Sequence, residues 1–330
     1  MEGGLDSRHR SSTAECAAYL SISFVLSWVI WIPLLFASRT REQLGSLLVL
    51  GTFGPSVAAV LCSYRGVRAR DGQLSSRIVC FSLALLVCWV VLIGHANLWD
   101  GVRLSLEARL LLLLPSAIPA WIVSTAFSRD EGIRGTMRSL LTPRPIGWHA
   151  VALLLFPAIL FVSAVATRVW RGTIHPPNVA GGGSSYALLV IVEFSYAFLV
   201  GGGLSEEPGW RGFLLPRLQD RFSPLVASLP VWFAWALWHA PLDFAGYAGS
   251  TPTAYLRARL LILFPLCIII TWVYNRCGGT ILSVALFHST FNVAPDFIPS
   301  TALAAWMISA VALAAIVGDG MWRKNVRGDL

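Results

Sequence analysis

Long uninterrupted apolar runs constrain the fold of this chain more than any other feature. A helix of about 20 apolar residues spans the hydrocarbon layer of a bilayer. Of the 330 residues, 56% are hydrophobic and only 13% are charged, which excludes an ordinary soluble domain. Ten runs of sufficient length begin near Cys16, Leu44, Ile78, Leu110, Trp148, Tyr186, Pro224, Leu260, Ile281 and Ala302.

The apolar runs are continuous rather than alternating, which favours helices over a β-barrel. We therefore predict an all-α, polytopic transmembrane helical bundle of about 8–11 membrane-spanning helices in the cell membrane. The segment after Leu204 is a further candidate span. The first run, Cys16 to Phe36, is longer than a signal-peptide core, so we expect a retained anchor.

Three regions follow from the distribution of charge along the chain. The polar loop "TIHPPNVAGGGSS", Thr173 to Ser185, separates a part with few intramembrane charges from a part that carries most of them. We predict N-terminal transmembrane helices without a recognised motif over 1–180, a helical core over 181–300, and a last transmembrane helix with a basic tail over 301–330.

The formal charge of +8 comes almost wholly from arginine in short loops such as "RDEGIRGTMR". Such loops indicate membrane orientation and contact with anionic lipids rather than nucleic-acid binding. The cysteines form no CxxC pair and lie in or beside apolar runs, so we expect packing residues rather than a zinc or disulfide framework.

Polar groups at membrane depth are costly, so each is a functional candidate. Those after the polar loop are Glu193, Glu206, Glu207, Arg211, His239, Asp243, His288, Asn292 and Asp296. We leave Glu193, Asp243 and Asp296 out of the catalytic set. Each has an ordinary alternative role, in a hydrogen bond between helices or at a solvated helix end.

The stretch "GGGLSEEPGWRGF" predicts a helix break followed by a helix start. Gly201–Gly203 should end the preceding helix, Ser205 is a good N-cap, and Pro208 would then lie in the first turn. The two glutamates would be first-turn acids favoured by the helix dipole, and ordinary acids at the membrane surface are an equally good explanation of this pair.

Helical spacing separates the two glutamates. Glu207 and Arg211 are four residues apart on one face, where they can neutralise each other. Glu206 is rotated by about 100° from that face, which leaves it as the free carboxylate that a general base requires.

His239 ends the run "WFAWALWH". A lone histidine among aromatic residues is more often a hydrogen-bonded core residue than a catalyst. If the chain turns back around Phe222 and Ser223, however, an antiparallel hairpin brings Glu206 level with His239. His288 and Asn292 in "LFHSTFN" share a helix face; they form either a catalytic pair or an interhelical hydrogen-bonding pair worth about 1 kcal/mol.

The ordered segments "EEPGWRGFLLPRL", "WALWHAPL" and "SVALFHSTFN" resemble the motifs of the CPBP family. These are membrane-embedded proteases related to the CAAX prenyl endopeptidase and to bacteriocin-immunity (Abi) proteins. The family pattern is EExxxR, FxxxH and HxxxN or HxxxD. Its first and third motifs are matched by Glu206, Glu207, Arg211, His288 and Asn292.

The second motif is matched by His239, but Trp235 stands where phenylalanine is usual. We expect this aromatic exchange to affect local packing or substrate shape and to leave the chemistry intact. The resemblance extends from about Leu204 to Asn292 and implies that 181–300 is the catalytic core. It also implies that Glu207 and Arg211 support the structure of the site.

By this resemblance, Glu206 with His239 activates a water that attacks the scissile carbonyl, and His288 with Asn292 stabilises the oxyanion. The reaction would be peptide-bond hydrolysis without an acyl-enzyme. No cofactor is favoured. The alternative is zinc held by Glu206, His239 and His288, against which stand the absence of an HExxH motif and the position of Asn292.

The expected partners are a peptide or protein substrate, lipidated or not, and membrane lipids, with no nucleic acid. The oligomeric state and the side of the membrane to which the site opens are left undecided. Two other functions remain alternatives: a non-catalytic immunity or membrane-assembly factor of the same family, and a transporter that uses the buried charges. The tryptophans favour bundle core over a substrate groove.

Overall fold

Helices dominate the computed structural model, which describes residues 2–36, 48–65, 73–142, 146–174, 185–244 and 251–324. No strand occurs in these ranges, so the all-α prediction is confirmed. The predicted boundary at residue 180 and the start of the run at Leu44 lie outside the described residues.

Short breaks separate the helices, and 3₁₀ or π-helical turns interrupt some of them. The α-helices are, in chain order, α1 (Glu2–Leu34), α2 (Gly54–Ser63), α3 (Gln73–Gly94), α4 (Leu106–Leu111), α5 (Leu113–Ser124), α6 (Glu131–Met137), α7 (Ile146–Arg171), α8 (Tyr186–Leu199), α9 (Gly203–Gly209), α10 (Leu215–Gln219), α11 (Pro224–Trp238), α12 (Ala240–Phe244), α13 (Pro252–Ala258), α14 (Phe264–Arg276), α15 (Ile281–Phe297) and α16 (Ala302–Gly318). The π-helical turns are His95–Trp99, Trp210–Leu214 and Arg259–Leu263, and the 3₁₀ turns are Thr125–Phe127 and Arg138–Leu141.

Seven helical stretches in the described part of the chain are long and apolar enough to cross a membrane. They are Thr13–Leu34, Leu74–Trp99, Leu106–Phe127, Ile146–Arg171, Tyr186–Gln219, Pro224–Phe244 and Thr253–Arg276. Two further apolar helices, Leu48–Ser63 and Ala302–Gly318, are shorter, and the candidate span after Leu204 continues the stretch that begins at Tyr186. The chain is a multi-pass membrane protein.

The glycine triplet breaks the chain as predicted, but the next helix does not begin at Ser205. Helix α8 ends at Leu199 and α9 begins at Gly203, after Gly202 adopts a φ of +127° that other residues rarely adopt. Ser205 lies in the first turn, and its hydroxyl accepts the Gly202 N–H at 3.0 Å. The side chain thus caps the helix from inside it.

Pro208 also lies deeper in the helix than predicted, in the interior of α9. A proline there removes the hydrogen bond to the carbonyl four residues earlier. That carbonyl belongs to Leu204, and it accepts the Ser56 hydroxyl of α2 at 2.8 Å. Helix α2 therefore supplies the donor that the proline lacks, and α9 is buried along its whole length among α2, α8 and α15.

Helix α1 packs against the end of α11, where Trp238 precedes His239. The Trp28 indole donates to the Trp238 carbonyl at 3.0 Å, and the Trp238 indole donates to the Ser27 hydroxyl at 2.7 Å. Trp210, Trp235 and Trp238 are fully buried, as expected for bundle core. The N-terminal helix is therefore part of the framework around the candidate site.

Candidate active site

A buried carboxylate joins two of the motifs. Oε1 of Glu207 accepts Nη1 of Arg211 at 2.8 Å, the pair that the i,i+4 spacing predicts. The same oxygen lies 2.7 Å from Nδ1 of His288. The side chains of Glu207 and Arg211 are fully buried, and that of His288 is 3% exposed. Because an unpaired buried charge is very costly, these three groups depend on one another.

Trp235 lies at the centre of the site. Its Nε1 donates to Oε2 of Glu206 at 2.6 Å. The centre of its ring is 5.4 Å from that of His288 and 5.9 Å from that of His239, while the Arg211 guanidinium lies 4.8 Å from the ring centre. One indole thus contacts or borders groups from all three motifs.

His239 follows the last residue of α11, and its Nδ1 lies 2.9 Å from the carbonyl oxygen of Trp235. A carbonyl only accepts hydrogen bonds, so Nδ1 carries the proton. In the neutral ring Nε2 then has a lone pair. The backbone of α11 therefore holds His239 in the tautomer that can accept a proton at Nε2.

Glu206 is level with Trp235, one helical turn before the predicted partner His239. The chain reverses between Gln219 and Pro224, a turn that includes the predicted Phe222 and Ser223. The π-helical turn Trp210–Leu214 lies between Glu206 and this reversal, so the even helical pitch assumed for the hairpin does not hold.

His288 and Asn292 both approach the backbone at Gly202. A Cβ atom at Gly202 would lie 2.5 Å from Nε2 of His288 and 2.8 Å from Nδ2 of Asn292, which is too close for a side chain. Nδ2 of Asn292 also donates to the Gly201 carbonyl at 2.6 Å, which uses one of its two N–H groups. Glycine is therefore the residue that lets both nitrogen atoms lie against this backbone.

The polar residues left out of the catalytic set are engaged elsewhere or lie at a helix end. Glu193 lies 2.9 Å from Nε2 of His95. Asp243 pairs with Arg259. Asp296 lies in the last turn of α15.

Within the described ranges, no three His, Cys, Asp or Glu side chains come together as a possible metal-ligand group. Each residue of the zinc alternative has one side-chain atom bound to a protein group: Trp235 binds Glu206 and His239, and Glu207 binds Nδ1 of His288. A zinc ion would therefore need the other oxygen of Glu206 and Nε2 of both histidines to lie around one point. A chelator experiment tests the zinc alternative.

The sequence patterns do not predict two residues of the site. They indicate Trp235 only as a departure from phenylalanine, although a position four residues before His239 places both on one side of α11. They indicate Gly202 only as part of a helix break. The positive φ and the two nitrogen atoms over it become visible only when α15 is packed against α9.

Comparison with known proteins agrees with these motifs. Residues 189–294 match the family model described as Type II CAAX prenyl endopeptidase Rce1-like. The chain is also 28% identical over 203 residues to CAAX prenyl protease 2 of Methanococcus maripaludis, in an alignment that covers 58% of this chain and 74% of that relative. The matched segment contains every residue from Glu206 to Asn292. The motif-bearing part of this multi-pass membrane protein is therefore similar to the CAAX prenyl endopeptidase family.

Proposed function

We propose that this chain is an intramembrane endopeptidase of the cell membrane that hydrolyses peptide bonds of membrane-associated or lipidated polypeptides. The matching family model is described as a prenyl endopeptidase, and the matched relative is named a prenyl protease. The observation that carries the proposal is the convergence of polar groups from α9, α11 and α15 around Trp235 and Gly202 in an apolar bundle.

Glu206 and His239 are suited to activating water. The Trp235 N–H occupies Oε2 of Glu206, so Oε1 is the oxygen that would take the proton from water. Nε2 of His239 would accept a second hydrogen bond from the same water. The hydroxide oxygen then bonds to the scissile carbonyl carbon. When the tetrahedral intermediate collapses, the proton passes to the leaving amine, and no acyl-enzyme forms.

His288 and Asn292 are suited to stabilising the oxyanion of that intermediate. An N–H at Nδ1 of His288 would donate to Glu207, and an N–H at Nε2 would donate to the oxyanion. The second N–H of Asn292 would be the other donor. Two such donors are what an oxyanion site needs.

Glu207 and Arg211 would support the site without touching the substrate. Glu207 orients the His288 ring, and Arg211 compensates the charge of Glu207. If zinc were bound instead, Glu206, His239 and His288 would hold it, and it would supply an activated water.

The test is cleavage by the purified protein in proteoliposomes, with pools of lipidated and matched unlipidated peptides and products identified by mass spectrometry. We expect His239→Ala to lower kcat/KM by about 10²–10⁴ fold, because it removes an acid–base group. The control is His149→Ala, a half-buried histidine on α7 whose Nδ1 lies 3.2 Å from the Ser283 hydroxyl. It should cleave nearly as well as the wild type.

Four results would count against this proposal. Full cleavage by His239→Ala would remove the proposed water activation. Activity lost to a chelator and restored by zinc would favour the metal alternative. No cleavage of any peptide, with a biological phenotype that survives His239→Ala, would favour the non-catalytic immunity or assembly role. Ion flux through the proteoliposomes would favour a transporter.

A further inference from the structure

The indole of Trp235 and the carboxylate of Glu206 form a hydrogen bond from which water is excluded. Nε1 lies 2.6 Å from Oε2, and the two residues are 1% and 4% exposed. A tryptophan N–H only donates, so the oxygen must accept. Because both residues are buried, water does not readily replace this hydrogen bond when it is lost. Its loss therefore costs more free energy than the loss of a hydrogen bond at the surface.

Neighbouring groups hold the indole in place. The Arg211 guanidinium lies 4.8 Å from the ring centre, in the range of a cation–π contact. The His288 ring meets the indole edge to face at 5.4 Å. The backbone carbonyl of Trp235 also binds Nδ1 of His239. The donor atom is therefore fixed in position before any substrate arrives.

The chemistry of this bond distinguishes the two states of Glu206. A hydrogen bond to an ionised carboxylate is about twice as strong as one between neutral groups. The indole N–H therefore favours the ionised carboxylate, and it leaves Oε1 as the oxygen that Trp235 does not bind. In the CPBP motif, phenylalanine is the usual residue at the position of Trp235. Phenylalanine also has an aromatic ring, but it has no N–H.

We propose that Trp235 is a positioning residue for Glu206: its indole N–H favours the ionised form of this carboxylate and fixes which oxygen takes the proton. The inference rests on the proposed function, because it assigns Glu206 the role of base. Such a role would extend beyond the packing or substrate shape that the Phe-to-Trp exchange is expected to affect.

The test compares Trp235→Phe with a protein that carries benzothienylalanine at position 235, which keeps the shape of the indole but replaces N–H with sulfur. The matched control is Trp232→Phe, since Trp232 lies one turn earlier on α11 and donates to the Arg259 carbonyl at 2.9 Å. We expect both variants at 235 to move the acidic limb of the kcat/KM profile upward by about one to two pH units. The Trp232→Phe profile should not move.

A second readout does not need activity. Infrared difference spectra against Glu206→Gln report the protonated carboxyl of Glu206 as the pH falls. In the benzothienylalanine protein this band should appear at higher pH than in the wild type. If both the band and the acidic limb stay at the wild-type pH in that folded protein, the proposal is overturned. If the wild type cleaves no peptide but the band still appears at higher pH in the benzothienylalanine protein, the Trp235 contact is supported and the proposed peptidase function is refuted.

Discussion

Two clusters in the bundle join a histidine to carboxylates, and they differ in what the histidine leaves open. In the outlying cluster of His95, Asp100 and Glu193, Nδ1 of His95 lies 3.2 Å from Asp100 and Nε2 lies 2.9 Å from Glu193. The Tyr196 ring stacks on the imidazole at 3.8 Å between centres. Both nitrogen atoms and one face are thus occupied, as in a structural contact between α8 and the π-helical turn after α3.

The site cluster of Glu206, Glu207, Arg211 and His288 is different. Nδ1 of His288 is bound to Glu207, while its Nε2 makes no hydrogen bond among the described residues. A buried charge by itself therefore does not identify a catalytic group in this protein. The informative feature is a fixed histidine nitrogen without such a bond, which the site cluster has and His95 lacks.

The largest effect on stability should follow from breaking the site cluster. Arg211→Met keeps the volume of the side chain but leaves Glu207 buried without its cation. We expect it to lower the free energy of unfolding by about 3–5 kcal/mol, measured by denaturation in detergent micelles.

The matched change in the outlying cluster is Glu193→Gln, which keeps an acceptor for His95. We expect it to cost about 1 kcal/mol or less. Equal losses for the two variants would show that the clusters do not differ in the way proposed.

A smaller but more specific effect should follow from a side chain at Gly202. Gly202→Ala forces a methyl group against His288 and Asn292 and displaces them, so we expect kcat to fall by about tenfold to a hundredfold, as for other small misplacements of catalytic groups. Gly172→Ala is the control for backbone strain, because Gly172 also has a positive φ, +75°, but no atom lies within 4 Å of its Cβ position. Wild-type cleavage by Gly202→Ala would contradict the proposed role of His288 and Asn292.

The local parts of the site could be predicted from the sequence, and the pairings between helices could not. The contact of Glu207 with Arg211 follows from the pitch of one helix, so its spacing was sufficient. The bonds of Glu207 to His288 and of Glu206 to Trp235 depend on how α15 and α11 pack against α9. The spacing of residues along one helix does not indicate how that helix packs against others.

The fold shows the same difference between features set by neighbouring residues and contacts between residues far apart in the sequence. The apolar runs identified helices and a membrane bundle, because hydrophobicity and length act locally. They did not indicate that the runs near Leu44 and Ala302 form short helices, or that Ser27 and Trp28 of α1 support Trp238. Those contacts join residues more than 200 positions apart.

The most direct test of the central claim is a cleavage assay in proteoliposomes that compares Glu206→Gln with Glu193→Gln. Each variant replaces a carboxylate of the bundle with an amide of the same shape; Glu206 is buried and Glu193 is partly buried. We predict that Glu206→Gln lowers kcat/KM by about 10³-fold, within the range for loss of a general base, while Glu193→Gln stays within about twofold of the wild type. Cleavage retained by Glu206→Gln, or abolished by Glu193→Gln, would contradict the account.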